Sequence, residues 1–179
     1  MWVSLRKFIM KIGFLFGSFD PIHIGHLYMI TSALEYLDKV IVVPTMQNPW
    51  KKNPPLSFDT RVGFIMKSTW VFRDKCEVSE IEKTIEAPHY SYKDCIEFRK
   101  KYPNDELYII CGTDVAKVID KWKNYETDIK PYWKTLVVSR SILDVSSTNI
   151  RQRIKEGKEI FPLVTAEVSD AIKDLNLYK

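Results

Sequence analysis

Four runs of this sequence are apolar without alternation: "KIGFLFG" from Lys11, "KVIVVP" from Lys39, "ELYIICG" from Glu106 and "TLVVS" from Thr135. A strand with one wet face alternates polar and apolar residues, whereas a strand without alternation is covered on both faces. Between these runs lie stretches with helical spacing. They are "HLYMITSALEYL", a segment starting near Ser57, "SYKDCIEFRKKY" halted by Pro103, and a short helix from Asp114. Two closing helices follow, Ser147–Glu156 ended by Gly157 and about Ala166–Leu175. "CEVSEIE" reads as a short strand or extended piece. Doubly buried strands alternating with helices predict an α/β fold: a doubly wound parallel sheet with helices on both faces.

The chain has 179 residues, enough for one domain with a proper core. Net charge is +4 and scattered, without the dense basic face of a nucleic-acid binder. No apolar run reaches the roughly eighteen residues of a membrane span. The opening "MWVSLRKFI" lacks a small-residue cleavage site. It reads as an extension over residues 1–9 ahead of a single domain over 10–179. Cys76, Cys95 and Cys111 are odd in number and show no Cys-x-x-Cys spacing. They read as reduced, packed thiols of a cytoplasmic protein.

In doubly wound folds ligands sit beyond the carboxyl ends of the strands. The loops that fall there are Gly17–His26, Pro44–Lys52, Gly112–Asp114 and Arg140–Arg151. The first contains "FGSFDPIHIGH". Gly17 permits a tight turn and a ligand close to the main chain. Pro21 suits a turn into a helix, whose first N–H groups and partial positive charge favour phosphate. His23 and His26 share one side of the first helical turn, and Gly25 between them leaves room for a phosphate. This describes a polyphosphate cradle; the alternative is a pair of capping or core histidines. Asp20 reads either as a turn-stabilising residue or as a ligand.

A second signal is "DVSSTNIRQRIKEGK". Ser146, Ser147 and Thr148 place hydroxyls at a helix start, Arg151 and Arg153 follow, and Ile150 and Ile154 form the buried pair. Taken by itself the segment also reads as a well-capped surface helix.

His23-Ile24-Gly25-His26 is the HIGH tetrapeptide of the nucleotidyltransferase superfamily, and "GSFDPIHIGH" resembles its longer form in small adenylyltransferases. "DVSSTNIR" resembles the "ISSTxIR" motif of nicotinate-nucleotide adenylyltransferases. "PTMQNPWK" is similar to that family's "P…PPHK" loop, with Trp50 for histidine and Lys51 retained. "HYSYKDCIEF" resembles "SYTxDTL", with Ser91 and Cys95 for the threonines. "GTDVAKVIDKWKNYETDI" and the tail "EIFPLVTAEVSDAIKDLNLY" also match, so the resemblance spans about Lys11 to Tyr178.

The resemblance implies a Rossmann-like enzyme joining nicotinate mononucleotide to ATP, with release of pyrophosphate. His23 and His26 would then act on the triphosphate as the catalytic pair. Gly17, Ser18, Phe19, Gly25, Gly112, Asp114, Ser147, Thr148 and Arg151 would bind ATP. Lys51, Ser91, Trp122 and Arg140 would serve the pyridine mononucleotide, with Trp122 stacking on the ring or else packed as a core tryptophan. Magnesium would arrive as the ATP counter-ion, without a dedicated protein cage. His89 reads as a surface residue. An oligomer is neither required nor excluded. Nicotinamide mononucleotide is a rival acceptor, 4′-phosphopantetheine a weaker one, and a non-catalytic nucleotide sensor a reading of another class.

Overall fold

The computed structural model of the chain describes residues 8–48, 56–139 and 145–179. Its elements run β1 (Lys11–Gly17), α1 (Ile24–Ala33), β2 (Lys39–Pro44), α2 (Phe58–Thr69), β3 (Cys76–Val78) and α3 (Ser91–Lys101). They continue through β4 (Glu106–Cys111), α4 (Thr113–Ala116), β5 (Trp133–Val137), α5 (Ser147–Lys155) and α6 (Ala166–Asp174). The strands form one parallel sheet in the order β3-β2-β1-β4-β5. Strand order reverses between β1 and β4, where a doubly wound sheet opens its ligand crevice.

The unalternating runs are explained by two cores, one on each face. Ile12 and Phe14 of β1, Ile41 and Val43 of β2, and Leu107 and Ile109 of β4 face one side, against Cys95 and Phe98 of α3 and Trp133. Leu15, Val40, Val42 and Ile110 face the other, against Met29 and Ile30 of α1, Phe64 and Ile65 of α2, Ile150 of α5 and Val168 of α6. Phe14 sits at the centre of an aromatic cluster, its ring 4.5 Å from Phe98 and 4.9 Å from Trp133.

Three local expectations need adjusting. Helix α1 stops at Ala33, and the apolar Leu34–Leu37 stretch turns back so that the Leu37 N–H reaches the Ala33 carbonyl at 2.9 Å. The last strand starts at Trp133 rather than Thr135, because Trp133 pairs in register with Leu107 and is buried. Four short helical turns without a clear periodic signal fill the connections, at Trp70–Lys75, Ile81–Lys83, Ile119–Lys121 and Tyr125–Ile129. Residues 1–7 lie outside the described residues, and so does most of the expected extension. Met10 is already tied to the sheet: its N–H donates to Asp105 and its carbonyl accepts from Glu106.

The thiols pack as expected. Cys95 and Cys111 are buried, Cys76 half-buried, and all three are free. Burial pushes the Cys76 thiol up to about 12 and Cys111 up to about 11, so neither carries appreciable thiolate at neutral pH. Among the described residues no helix is long and apolar enough to cross a membrane.

Candidate active site

The β1–α1 loop leaves the sheet at the reversal point. Its tight turn is made by Phe19, with φ 48°, and not by Gly17 as the sequence suggested. Gly17 serves packing: a Cβ there would lie 3.1 Å from the Phe19 ring. His23 caps α1 and is only 3% exposed. Its backbone N–H donates to Nδ1 of His26 at 3.2 Å. A nitrogen that accepts carries no proton, so neutral His26 holds its proton on Nε2 and is a donor there. The two imidazoles stack 3.7 Å apart, and Phe19 packs edge-on against His26 at 4.9 Å. Gly25 is required for packing and not, as its place between the histidines suggested, to leave room for a phosphate: a Cβ would meet the His23 ring at 3.1 Å and Val145 at 3.0 Å.

That Val145 contact brings the second motif to the first. Ser146 is the N-cap of α5, its Oγ accepting from the Asn149 N–H at 3.1 Å. The Ser147 hydroxyl donates to the Pro21 carbonyl at 2.9 Å. Arg151 donates to the Asp20 carbonyl at 2.6 Å and to the Thr148 hydroxyl at 3.2 Å. The start of α5 and Arg151 therefore lie against the loop that carries the histidine pair, at the crevice beyond the carboxyl edge of the sheet. The Ser147 proton is committed to Pro21, which makes this hydroxyl a clamp between the two motifs.

Asp20 resolves as a structural hub. Its carboxylate accepts from the Leu56 N–H at 3.3 Å and the Tyr178 hydroxyl at 2.7 Å. Burial and the Asp20 charge push the Tyr178 phenol far above its ordinary range, so it stays a neutral donor. Arg61 on α2 is fully buried, at 0% exposure. Its guanidinium donates to the carbonyls of Leu56 at 2.9 Å, Ser18 at 2.6 Å and Met46 at 3.1 Å. It thereby fastens the loops after β1 and β2 to each other. Neither Arg61 nor Tyr178 was identified from sequence. Arg61 left one clue, since it occupies a core-facing helical position between Phe58 and Ile65; Tyr178 left none locally.

A cavity of about 160 Å³ opens beside this crevice, lined by Thr45, Asn48, His89, Ser91, Trp122 and Lys123 among others. Thr45 joins it to the first loop through an N–H bond of 2.9 Å to the Gly17 carbonyl. Ser91 and Trp122 thus come together as expected. Trp122 meets both of its readings: it is half-buried, edge-on to Phe16 at 6.4 Å, and it also forms cavity wall. Gly112 is the buried N-cap residue of α4 and Asp114 stands exposed on its first turn. Lys51, Trp50 and Arg140 lie outside the described residues. The reading of His89 as a surface residue is overturned. Its side chain is 12% exposed, and Nδ1 lies 3.3 Å from Oε2 of the buried Glu82. No local pattern announces this, because the turn at Ile81–Lys83 that carries Glu82 beneath it has no periodic signature.

Among the described residues no cluster of three His, Cys, Asp or Glu side chains could cage a metal. The donors at the crevice are imidazole, guanidinium, hydroxyl and N–H groups, which suit phosphate oxygens; a hard cation there would take its ligands from phosphates and water.

A parallel sheet with a stacked histidine pair at its reversal point, joined there to the start of α5, is the arrangement expected of a nucleotidyltransferase from the motif resemblance. The cytidylyltransferase-like family profile matches residues 14–153. A probable nicotinate-nucleotide adenylyltransferase of Flavobacterium johnsoniae is 35% identical over 95% of this chain and 100% of its own length. One from Methylacidiphilum infernorum is 37% identical over 90% and 89%. The chain belongs to the nicotinate-nucleotide adenylyltransferase family within the cytidylyltransferase-like group. A solved nicotinate-nucleotide adenylyltransferase structure from Vibrio parahaemolyticus superposes with a TM-score of 0.78 at 20% identity, covering 92% of this chain and 99% of that one. The Plasmodium falciparum nicotinic acid mononucleotide adenylyltransferase, solved with NaAD, gives 0.75 at 20% identity, with 94% and 97% coverage. At that identity the two structures bear on fold.

Proposed function

We propose that this chain transfers the adenylyl group of ATP to nicotinate mononucleotide, forming nicotinate adenine dinucleotide and pyrophosphate. The observation that carries the reading is the pair of hydrogen bonds from Ser147 and Arg151 to the Pro21 and Asp20 carbonyls, which puts both phosphate-binding motifs on one crevice.

The nucleophile is a phosphate oxygen of the mononucleotide. With a second pKa of about 6 that phosphate is already largely ionised at neutral pH, so no protein base has to act. The oxygen bonds to the α-phosphorus as the bond to the β-phosphate oxygen breaks, and the electron pair leaves with pyrophosphate. Negative charge grows on the α-phosphate and the departing group. His26, with its proton fixed on Nε2, and His23 donate to that charge from a position set before substrate arrives. The N–H groups at the start of α5, with Thr148 and Arg151, hold the β- and γ-phosphates. Gly17, Ser18, Phe19 and Gly25 form the floor on which the triphosphate lies, and Gly112 and Asp114 serve the nucleotide riboses. Magnesium would arrive with ATP and offset phosphate charge there, its ligands coming mainly from phosphates and water rather than from these side chains. Ser91 and Trp122 hold the pyridine ring in the adjoining cavity, with Lys51 and Arg140 completing the acceptor side. Three unpaired, packed thiols fit work in the cytoplasm.

The test is pyrophosphate release with ATP, magnesium and each acceptor in turn. Turnover with nicotinate mononucleotide is expected. Turnover with nicotinamide mononucleotide only, turnover with 4′-phosphopantetheine only, or ATP binding without turnover on any acceptor would overturn the assignment.

A further inference from the structure

Behind the acceptor cavity stands a group of titratable side chains that adenylyl transfer does not use. Glu82 and Asp94 are 2% and 1% exposed. Their carboxyl groups are close neighbours, each acting on the other's titration. Two carboxyl groups in such contact hold a proton between them. Glu82 Oε2 accepts the Met46 N–H at 2.5 Å and sits 3.3 Å from His89 Nδ1. His89 Nδ1 and Asp94 Oδ1 are buried atoms with no hydrogen-bonding partner among the described residues. A proton shared with Glu82 is what would satisfy them. His89 itself lines the cavity. With Nδ1 turned to Glu82, Nε2 is the ring nitrogen left to serve a ligand.

We propose that proton occupancy of the Glu82–Asp94–His89 cluster sets which pyridine mononucleotide the cavity accepts, making His89 a specificity-determining residue. This rests on the acceptor assignment made above. When the cluster holds its protons, Glu82 donates to Nδ1 and the imidazole carries its own proton on Nε2. That N–H matches a nicotinate carboxylate. When the cluster has lost a proton, Nδ1–H turns to the Glu82 carboxylate and Nε2 presents a lone pair. A lone pair repels a carboxylate and accepts from the NH₂ of nicotinamide. The surrounding charges are Lys93 beside His89 and Asp94, Arg61 beside Glu82, and Lys121 and Lys123 on the cavity wall with Tyr90 and Tyr92. The lysines and arginine stay charged through neutral pH, so they set a constant background. Burial holds Glu82 and Asp94 above the ordinary carboxylate range and His89 below its own, which brings the cluster's titration towards neutrality.

The test is the ratio of kcat/KM for nicotinate over nicotinamide mononucleotide between pH 6 and 9. Ionisation of the reacting phosphate, of ATP and of the phosphate-binding groups is common to both acceptors and cancels in the ratio. The wild-type ratio is expected to fall about tenfold or more as pH rises, the scale on which one matched hydrogen bond discriminates. His89→Ser and Glu82→Gln are each expected to give a ratio independent of pH. The amide oxygen that Glu82→Gln introduces still accepts the Met46 N–H, and a folding failure of one variant leaves the other. A flat wild-type ratio, or an unchanged slope in both variants, would overturn the proposal. A wild-type protein that turns over neither mononucleotide defeats the acceptor assignment itself, a result distinct from a flat ratio.

Discussion

Arg151 donates from its guanidinium to the main-chain carbonyl of Asp20 at 2.6 Å, joining positions 131 residues apart in the chain. The same side chain reaches the Thr148 hydroxyl at 3.2 Å, so one planar fork bridges the loop after β1 and the start of α5. Lysine offers a single ammonium without that planar fork, so it does not hold both partners in this geometry. Arg151→Lys is expected to raise KM for ATP by about tenfold, with a much smaller change in KM for the acceptor. Steady-state kinetics with each substrate varied in turn checks this; equal changes in both constants would contradict it.

His26 acts on charge that develops only as the reaction proceeds. Removing one such pre-positioned donor costs about 10²–10³ in kcat. His26→Ala is therefore expected to lose turnover on that scale while mononucleotide affinity, read by calorimetric titration, changes little. A parallel loss of affinity would show that His26 binds the acceptor rather than the transferring phosphoryl group.

Arg61 is a buried cation satisfied by carbonyls. Replacing it with methionine keeps much of the stem's volume but orphans the Leu56, Ser18 and Met46 carbonyls. Each fully buried orphaned acceptor costs about 1–3 kcal/mol. These three are only part-buried, so Arg61→Met is expected to lose towards the lower end of their sum, on the order of 3–5 kcal/mol of stability. The urea midpoint reports it. A loss below about 1 kcal/mol would mean that the two loops hold together without this clamp.

Burial pushes Asp94 up to about 8 and Glu82 up to about 7. In the unfolded chain both return to about 4. Above that value the unfolded chain sheds protons that the folded chain keeps. The stabilisation is thus whole below about pH 4 and is lost progressively as pH rises through 7 to 8. The thermal midpoint is expected to fall across this window, and Asp94→Asn to flatten the fall and sit above wild type at pH 8. An unchanged slope in the variant would place the titration elsewhere.

The strands were legible because burial on both faces leaves an unbroken apolar run, as in Val40, Ile41, Val42 and Val43, all fully buried. The histidine pair was legible because its geometry is local: three residues on one helical turn fix it whatever the rest of the chain does. Ser147 and Arg151 could be placed with that pair from motif and sheet topology, but their partners, the Pro21 and Asp20 carbonyls, could not. Main-chain acceptors carry no side-chain signature. Tyr178 meets Asp20 across 158 residues, and the pairing of Glu82 with His89 depends on a one-turn helix; neither leaves a periodic trace. The turn at Phe19 escaped because a positive φ at a bulky residue runs against local preference and is imposed by packing against His26.

Whether the histidine loop and the start of α5 grip one triphosphate is read most directly from a crystal structure with a non-hydrolysable ATP analogue. The α-phosphate is expected within hydrogen-bond distance of His26 Nε2, with the β- and γ-phosphates against the Thr148 and Arg151 donors of the same molecule. A triphosphate bound away from either group, or one that touches the histidines while leaving α5 to solvent, would contradict it.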